Sequence, residues 1–314
     1  MTEDITHIIE AKGLSKSFGS FQAVDDLSFS VEKGDVYGFL GQNGAGKSTT
    51  IRMITGLIKP SSGEVYINGQ RFSNNNRSLL KHVGAIIERP DMYGFLSGLD
   101  NLKMFAKMSK VPIARSRIGE VLEIVGLSGR ENDKVKAYSQ GMKQRLGIAI
   151  ALIHNPDLLI LDEPTNGLDP QGIAEMRNLI VSLSKEHGKT ILISSHLLYE
   201  IEQVANRMLI IHKGQKVVEG AVKELLNPND TLMEIKMLPD DEVVNKLEKT
   251  QWGEYIKEMN SSSIVLKMHP RKMPALNKML VAEGVHVLEI RSKHSLEAYF
   301  LSLTSNADAP VGII

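Results

Sequence analysis

Two short stretches of this 314-residue chain have residue types and spacing suited to phosphate chemistry. The first is Gly41-Gln42-Asn43-Gly44-Ala45-Gly46-Lys47-Ser48, which fits Gly-x-x-x-x-Gly-Lys-Ser/Thr. It lies between an apolar run and the start of a helix that includes Thr49. Glycines there let backbone N–H groups converge on phosphate oxygens that side chains would block. The helix start adds roughly half a positive charge at the same place. Lys47 should reach the β- and γ-phosphates of a nucleotide, and Ser48 should ligate Mg2+. The second stretch is Asp162-Glu163, at the end of the apolar run Leu158-Leu159-Ile160-Leu161. That run is too short for a helix and suits a buried parallel strand, whose carboxyl end is where such sheets bind ligands. Asp162 is expected to support the Mg2+ and Glu163 to polarise an attacking water.

These residues need a scaffold, and the chain supplies an α/β pattern. Strands are expected at 7–14, 24–31 and 35–40, and the last runs into the glycine-rich loop. A helix should follow from Lys47 to Gly56, then a strand at 64–69 after a turn at 60–63 and another at 82–88. Residues 97–155 read as a helical subdomain set between two parts of the sheet. Strands return at 157–162 and 190–194 around a helix at 171–186. A closing strand pair at 206–211 and 216–218 precedes a short helix at 221–226. The Asn-Pro-Asn-Asp cluster at 227–230 marks a boundary between domains 1–227 and 228–314. Beyond it the expected order is strand 231–237, helix 240–250, strands 254–259 and 263–268, helix 271–284, strand 285–291 and helix 294–303. Its first six elements form the β-α-β-β-α-β order of a ferredoxin-like α+β domain.

Composition removes several classes of function. Lys+Arg and Asp+Glu both number 37, so no charge excess favours nucleic acid or an anionic membrane. With no cysteine, disulfides, thiolate metal sites and cysteine nucleophiles are excluded, and a reducing compartment is expected. The acidic start lacks the pattern of a signal peptide, and no apolar run approaches the ~20 residues that cross a bilayer.

Between the two phosphate motifs lies Tyr138-Ser139-Gln140-Gly141-Met142-Lys143-Gln144-Arg145, just ahead of a helix. It resembles the signature motif of ABC-type ATPases, usually Leu-Ser-Gly-Gly-Gln. Ser139 and Gly141 are kept, while Gln140 and Met142 replace the usual Gly and Gln. The resemblance covers residues 8–220, with phosphate loop, signature, Asp-Glu pair and downstream histidine in the family's order. It implies a P-loop ABC-type ATPase domain that uses ATP and Mg2+. Two copies, identical or different, should close head-to-tail so that Ser139, Gln140 and Gly141 of one cover the γ-phosphate held by the other. Gly167-Leu168-Asp169 resembles the loop that links the two sites. His196 resembles the family's switch histidine, contacting γ-phosphate and the attacking water, and Phe18 the aromatic that stacks on adenine. One position departs from the family. After the strand HVGAII the family has a glutamine that ligates Mg2+, and this chain has Glu88. Glutamate there is similar to ATPases of the bacitracin-export and lantibiotic-immunity group, and the following loop, 89–93, should face a membrane partner.

The resemblance implies the energy-coupling subunit of an ABC transporter, an ATPase working with a separate membrane permease. It would lie peripherally on the cytoplasmic face of the membrane and export peptide antibiotics, drugs or lipids. The competing reading is an ABC-type ATPase acting on nucleic acid or ribosomes. Against that, the chain has no long coiled-coil insertion, no second ATPase unit and no basic patch. The second domain carries no site motif. His269, His286 and His294 lack metal-like spacing, and Met237, Met268, Met273 and Met279 read as packing. A regulatory or dimer-supporting role is expected of it.

Overall fold

The computed structural model of the protein describes residues 7–88, 92–109, 111–226, 231–239, 247 and 250–294. The chain divides into two compact units, Met1–Ala221 and Val222–Ile314. The turn cluster at 227–230 lies outside the described residues.

In the first unit, β1 (His7–Phe18) and β2 (Phe21–Glu32) form an antiparallel hairpin. β3 (Val36–Leu40) leads through the glycine-rich loop into α1 (Lys47–Ile54). β4 (Ser62–Ile67), β5 (Gln70–Arg71) and β6 (Val83–Ile86) follow, then α2 (Gly98–Met108), α3 (Arg115–Ile124) and α4 (Gln140–Leu152). The remaining elements are β7 (Leu158–Asp162), α5 (Pro170–Lys185), β8 (Thr190–Ser195), α6 (Leu198–Val204), β9 (Arg207–His212) and β10 (Gln215–Ala221).

Two sheets enclose α1. One is antiparallel, in the order β2-β1-β4-β5; the other runs β10-β9-β3-β8-β7-β6 and is parallel except at β10. β3, β7 and β8 are buried at every residue, which is why β3, β7 and the middle of β8 show no alternation of apolar and polar residues. Ile51, Met53 and Ile54 of α1 join Leu14, Phe29 and Phe39 of the strands in one core. The helix whose first turn bears Lys47 and Ser48 is thereby held between two rigid layers.

Local signals set the other helices. Ser97 caps α2 by accepting a bond from Asp100 N at 3.0 Å. Asp169 caps α5 ahead of Pro170, and Met176, Leu179, Ile180 and Leu183 form its buried stripe at helical spacing. α4 packs on β6 at Gly84, where an added Cβ would lie 2.2 Å from the Ala151 carbonyl oxygen. Only glycine permits that approach, so a backbone contact fixes the height of α4 over the sheet.

The second unit has its own core. After α7 (Val222–Leu225) come β11 (Thr231–Met237), β12 (Ile256–Asn260), β13 (Ser263–Lys267), α8 (Met273–Ala282) and β14 (Val287–His294). The sheet order is β12-β13-β11-β14 with every neighbour antiparallel, the arrangement that two interleaved β-α-β units produce. Alternate residues Met233, Ile235 and Met237 of β11 pack with Leu276 and Leu280 of α8 and with Trp252. Met268 and Met273 belong to this core and Met279 packs against it, as packing residues. The helix expected at 240–250 lies almost entirely outside the described residues, and so does 295–303 of the last one.

Several elements differ from the sequence reading. β1 and β2 run on to Phe18 and from Phe21, because register shifts along the hairpin break the alternation that marks strand ends. A 3-10 segment at Asn74–His82 and helix α6 were not expected; their short apolar spacing gives no sustained period. β14 continues to His294, where a helix was expected to begin, because it pairs with β11 along the full length of that strand.

Candidate functional site

The glycine-rich loop is built on close backbone contacts. Gly46 sits at φ 107°, and a Cβ there would come within 2.6 Å of the Ala23 carbonyl oxygen. Gly44, at φ 82°, also needs the left-handed region. Gly46 is the N-cap of α1 and has no side chain to cap it, so the cap residue does not occupy the first amides of α1. Lys47 follows and is only 4% exposed. Its ammonium donates to the carbonyl oxygens of Gly41 at 2.7 Å and Gln42 at 3.1 Å, and pairs with Glu163 Oε1 at 3.1 Å. Ala45 N–H donates to the Gln42 carbonyl oxygen at 3.1 Å, which closes the turn.

The carboxyl ends of β7 and β8 supply the acids and the histidine. Parallel pairing sets Asp162 beside Ser194. The Ser194 hydroxyl donates to Asp162 Oδ1 at 2.5 Å and accepts the Glu163 backbone N–H at 2.9 Å. Glu163 leaves the strand at φ 48°, a left-handed turn that aims its side chain across the sheet end. One carboxylate oxygen meets Lys47, and the other lies 3.1 Å from His196 Nδ1. Glu163 therefore stands between a buried cation and an imidazole.

A cavity of about 550 Å³ opens here. Ser48, Asp162, Glu163 and Glu88 line it, with Asn43 from the loop and Gln140 from the start of α4. Gln144, Asn166 and Gly167 complete the wall. A hydroxyl and carboxylates on one wall form the hard-oxygen donor set that Mg2+ prefers, with room left for phosphate oxygens and water. Glu88 reaches this wall at φ 62°, with its carboxylate ion-paired to Arg52 of α1 and its side chain 62% exposed.

Other expected residues lie away from the cavity. Phe18 is 51% exposed at the hairpin tip, with the Lys16 ammonium 5.1 Å above its ring. Ser139 caps α4, accepting from Met142 N at 3.2 Å. Asp169 caps α5, accepting from Gly172 N at 2.9 Å. Gly141 has no positive φ, and an added Cβ would meet nothing closer than Ser139 Oγ at 4.0 Å. Neither its backbone nor its neighbours within the chain demand glycine. Thr49 takes its place in the first turn of α1. Of the loop facing an expected membrane partner, 89–91 lies outside the described residues.

Sequence reasoning missed Ser194, Gln144, Arg52 and Glu200. Ser194 and Ser195 end an apolar strand as a polar pair, a signal that was present. Glu200, an unremarkable helix acid, accepts hydrogen bonds from Thr165 and Ser195. Arg52 and Glu88 are 36 positions apart and no spacing rule joins them.

Known proteins share this architecture. A family model described as ABC transporter matches residues 24–166, which hold the loop, the Ser139 segment and the Asp162-Glu163 pair. The bacitracin transport ATP-binding protein BcrA of Bacillus licheniformis is 46% identical over 298 residues, 94% of this chain and 97% of its own length. The lantibiotic transport ATP-binding protein SrtF of Streptococcus pyogenes is 43% identical over 212 residues, 68% of this chain and 90% of its own. The ATP-binding cassette MJ0796, solved as a dimer in a post-hydrolysis state with ADP and Pi, is 25% identical. It aligns with a TM-score of 0.61 over 68% of this chain and 98% of that one. With a phosphate loop, paired acids and histidine at one sheet end, and such identity along nearly its whole length, the chain belongs to the ABC transporter ATP-binding proteins, the ATP-hydrolysing subunits of those transporters.

Proposed function

We propose that this subunit powers export of a peptide antibiotic, drug or lipid through a separate membrane permease. The relatives named for bacitracin and lantibiotic transport support that substrate class. No helix among the described residues is long and apolar enough to cross a membrane, so the transport path is assigned to the permease. The subunit then works at the cytoplasmic face.

The observation that carries the catalytic reading is Glu163 held between Lys47 and His196 on the cavity wall. ATP enters with its phosphates on the loop amides and Phe18 stacked on adenine. The triphosphate takes over Lys47 from Glu163. Glu163, still held by His196, accepts a proton from water as the water oxygen bonds to the γ-phosphorus. The bond from that phosphorus to the bridging oxygen breaks, leaving ADP and phosphate. Bound Mg2+ would neutralise phosphate charge, and Ser48, Asp162 and Glu88 are the residues to hold it. Glu88 would have its second carboxylate oxygen to offer, since Arg52 of α1 pairs with Oε1 alone.

The second half of the site comes from a second ATPase subunit. Gly141 has open space inside its own chain, which supports close backbone approach by a partner's phosphate. Ser139 then donates to that γ-phosphate while capping α4, and Asp169 lies at the link between the sites. The decisive test is Glu163→Gln. We expect ATP binding to persist, phosphate release to fall about 10²–10⁴-fold, and an ATP-dependent dimer to accumulate on size exclusion. Wild-type turnover would remove Glu163 from the role of base. For transport, the tagged subunit drawn from native membranes in mild detergent should bring down a multi-pass protein in near-equal amount. Recovery with ribosomes or nucleic acid and no membrane protein would favour the competing reading.

A further inference from the structure

We infer that Glu200 is a positioning residue that clamps the segment after β7 to the segment after β8, and so sets the geometry of Glu163 against His196. The inference rests on the assignment of those two residues to hydrolysis. Glu200 lies on α6, and its carboxylate points back toward both strand ends. Thr165 Oγ1 donates to its Oε2 at 2.9 Å, and Ser195 Oγ donates to the same oxygen at 2.6 Å. Thr165 is two residues after Glu163, and Ser195 immediately precedes His196. One carboxylate oxygen therefore gathers both loops.

The surrounding bonds make this clamp directional. Ser195 Oγ also accepts the Leu197 N–H at 3.0 Å, so it brackets His196 from both sides. Past Glu163, Asn166 N bonds to the Glu163 carbonyl at 3.1 Å and Leu168 N to the Thr165 carbonyl at 3.2 Å. A shift of Thr165 is thus passed to Glu163 and onward toward Asp169. An ionised acceptor holds hydroxyl donors more tightly than a neutral one. α6 is a firm base for it, since that helix packs on β3, β8 and α5. Gly38 of β3 would place a Cβ 2.2 Å from Ile201 Cγ2, so this packing is close. Glu200 does not line the cavity, and its effect is on geometry rather than on nucleotide contact.

The test uses the full-length protein, with Glu200→Ala, Glu200→Gln and Glu163→Gln measured side by side for kcat, KM and ATP Kd. We expect Glu200→Ala to lose kcat on the order of 10–100-fold, because small misplacement of a reacting group is costly. KM and Kd should stay within about threefold. Glu200→Gln keeps a carbonyl acceptor and should recover most of the rate. Thr165→Val should lose rate in the wild-type background and little more in Glu200→Ala, the mark of a shared interaction. It also carries the expectation, at smaller amplitude, if Glu200→Ala fails to fold. Wild-type kcat in Glu200→Ala beside an inactive Glu163→Gln overturns the clamp alone. Equal loss of ATP affinity and rate, with no recovery in Glu200→Gln, overturns it as well and leaves a general structural role. Wild-type turnover in Glu163→Gln instead overturns the underlying assignment, whatever Glu200 does.

Discussion

At the scale of single residues the site is a set of groups that already satisfy one another. Lys47 is almost fully buried yet has two carbonyls and a carboxylate as partners, so its charge is not left bare in the interior. On the function proposed above, a triphosphate would replace Glu163 as the anionic partner of Lys47. Gly46 shows how little freedom the loop has. A side chain there meets both a disfavoured φ of 107° and a carbonyl oxygen at 2.6 Å. We expect Gly46→Ala to cost about 1–3 kcal/mol of stability from backbone strain alone and to weaken ATP binding sharply. Thermal melting without nucleotide, beside an ATP titration, checks both. Unchanged values would mean that the loop adapts and that its left-handed turn is dispensable.

At the scale of elements the question is what keeps α4 in place over the sheet. Gly84 sets the contact at Ala151, and His154, just beyond the helix, lies with Nε2 3.1 Å from the Val83 carbonyl oxygen. Burial pushes the His154 pKa below its ordinary 6.5; the carbonyl bond opposes that, and the charges of Arg117 and Lys189 add to it. Its folded pKa is thus depressed, and the unfolded chain takes up the proton first. The stability tied to the neutral ring is present above pH 6.5 and is lost as pH falls through that value toward the folded pKa. His212 is shifted in the same direction by burial and by Lys213, and contributes with the same sign. Melting temperature should therefore drop between about pH 7.5 and about pH 5.5, and drop less in His154→Gln, whose amide can still donate to Val83. An identical acid-induced drop in both proteins would place the sensitivity elsewhere.

Across the whole molecule there are two units, each with its own core. The nucleotide machinery belongs to the first, and ligand binding stabilises only the state that binds. In Glu163→Gln, ATP at 100 times Kd should add about 2.7 kcal/mol to the first unit. Calorimetry should show one transition moved upward and a second, from Val222–Ile314, unmoved. Equal movement of both would show that the second unit takes part in the nucleotide-bound state. That result would favour the regulatory or dimer-supporting role expected of it.

The amino-acid sequence alone determined the phosphate loop, the Asp162-Glu163 pair and the family. Each motif is a contiguous run whose residue types follow from one local requirement, either amides turned toward phosphate or acids at a strand end. It also marked β7 and the apolar middle of β8, because a strand buried on both faces is mostly apolar wherever its side chains find no polar partner. Only the tertiary structure decided which groups meet. Ser194 reaches Asp162 through the parallel register of β7 and β8, strands separated by the whole of α5. Arg52 meets Glu88, and Glu200 gathers Thr165 and Ser195, by routes that no spacing in one segment encodes. Such contacts depend on strand order and helix height, which backbone approaches such as that at Gly84 set after the chain has folded. A local motif states what chemistry is available; the packing of distant elements fixes where each group of that chemistry stands.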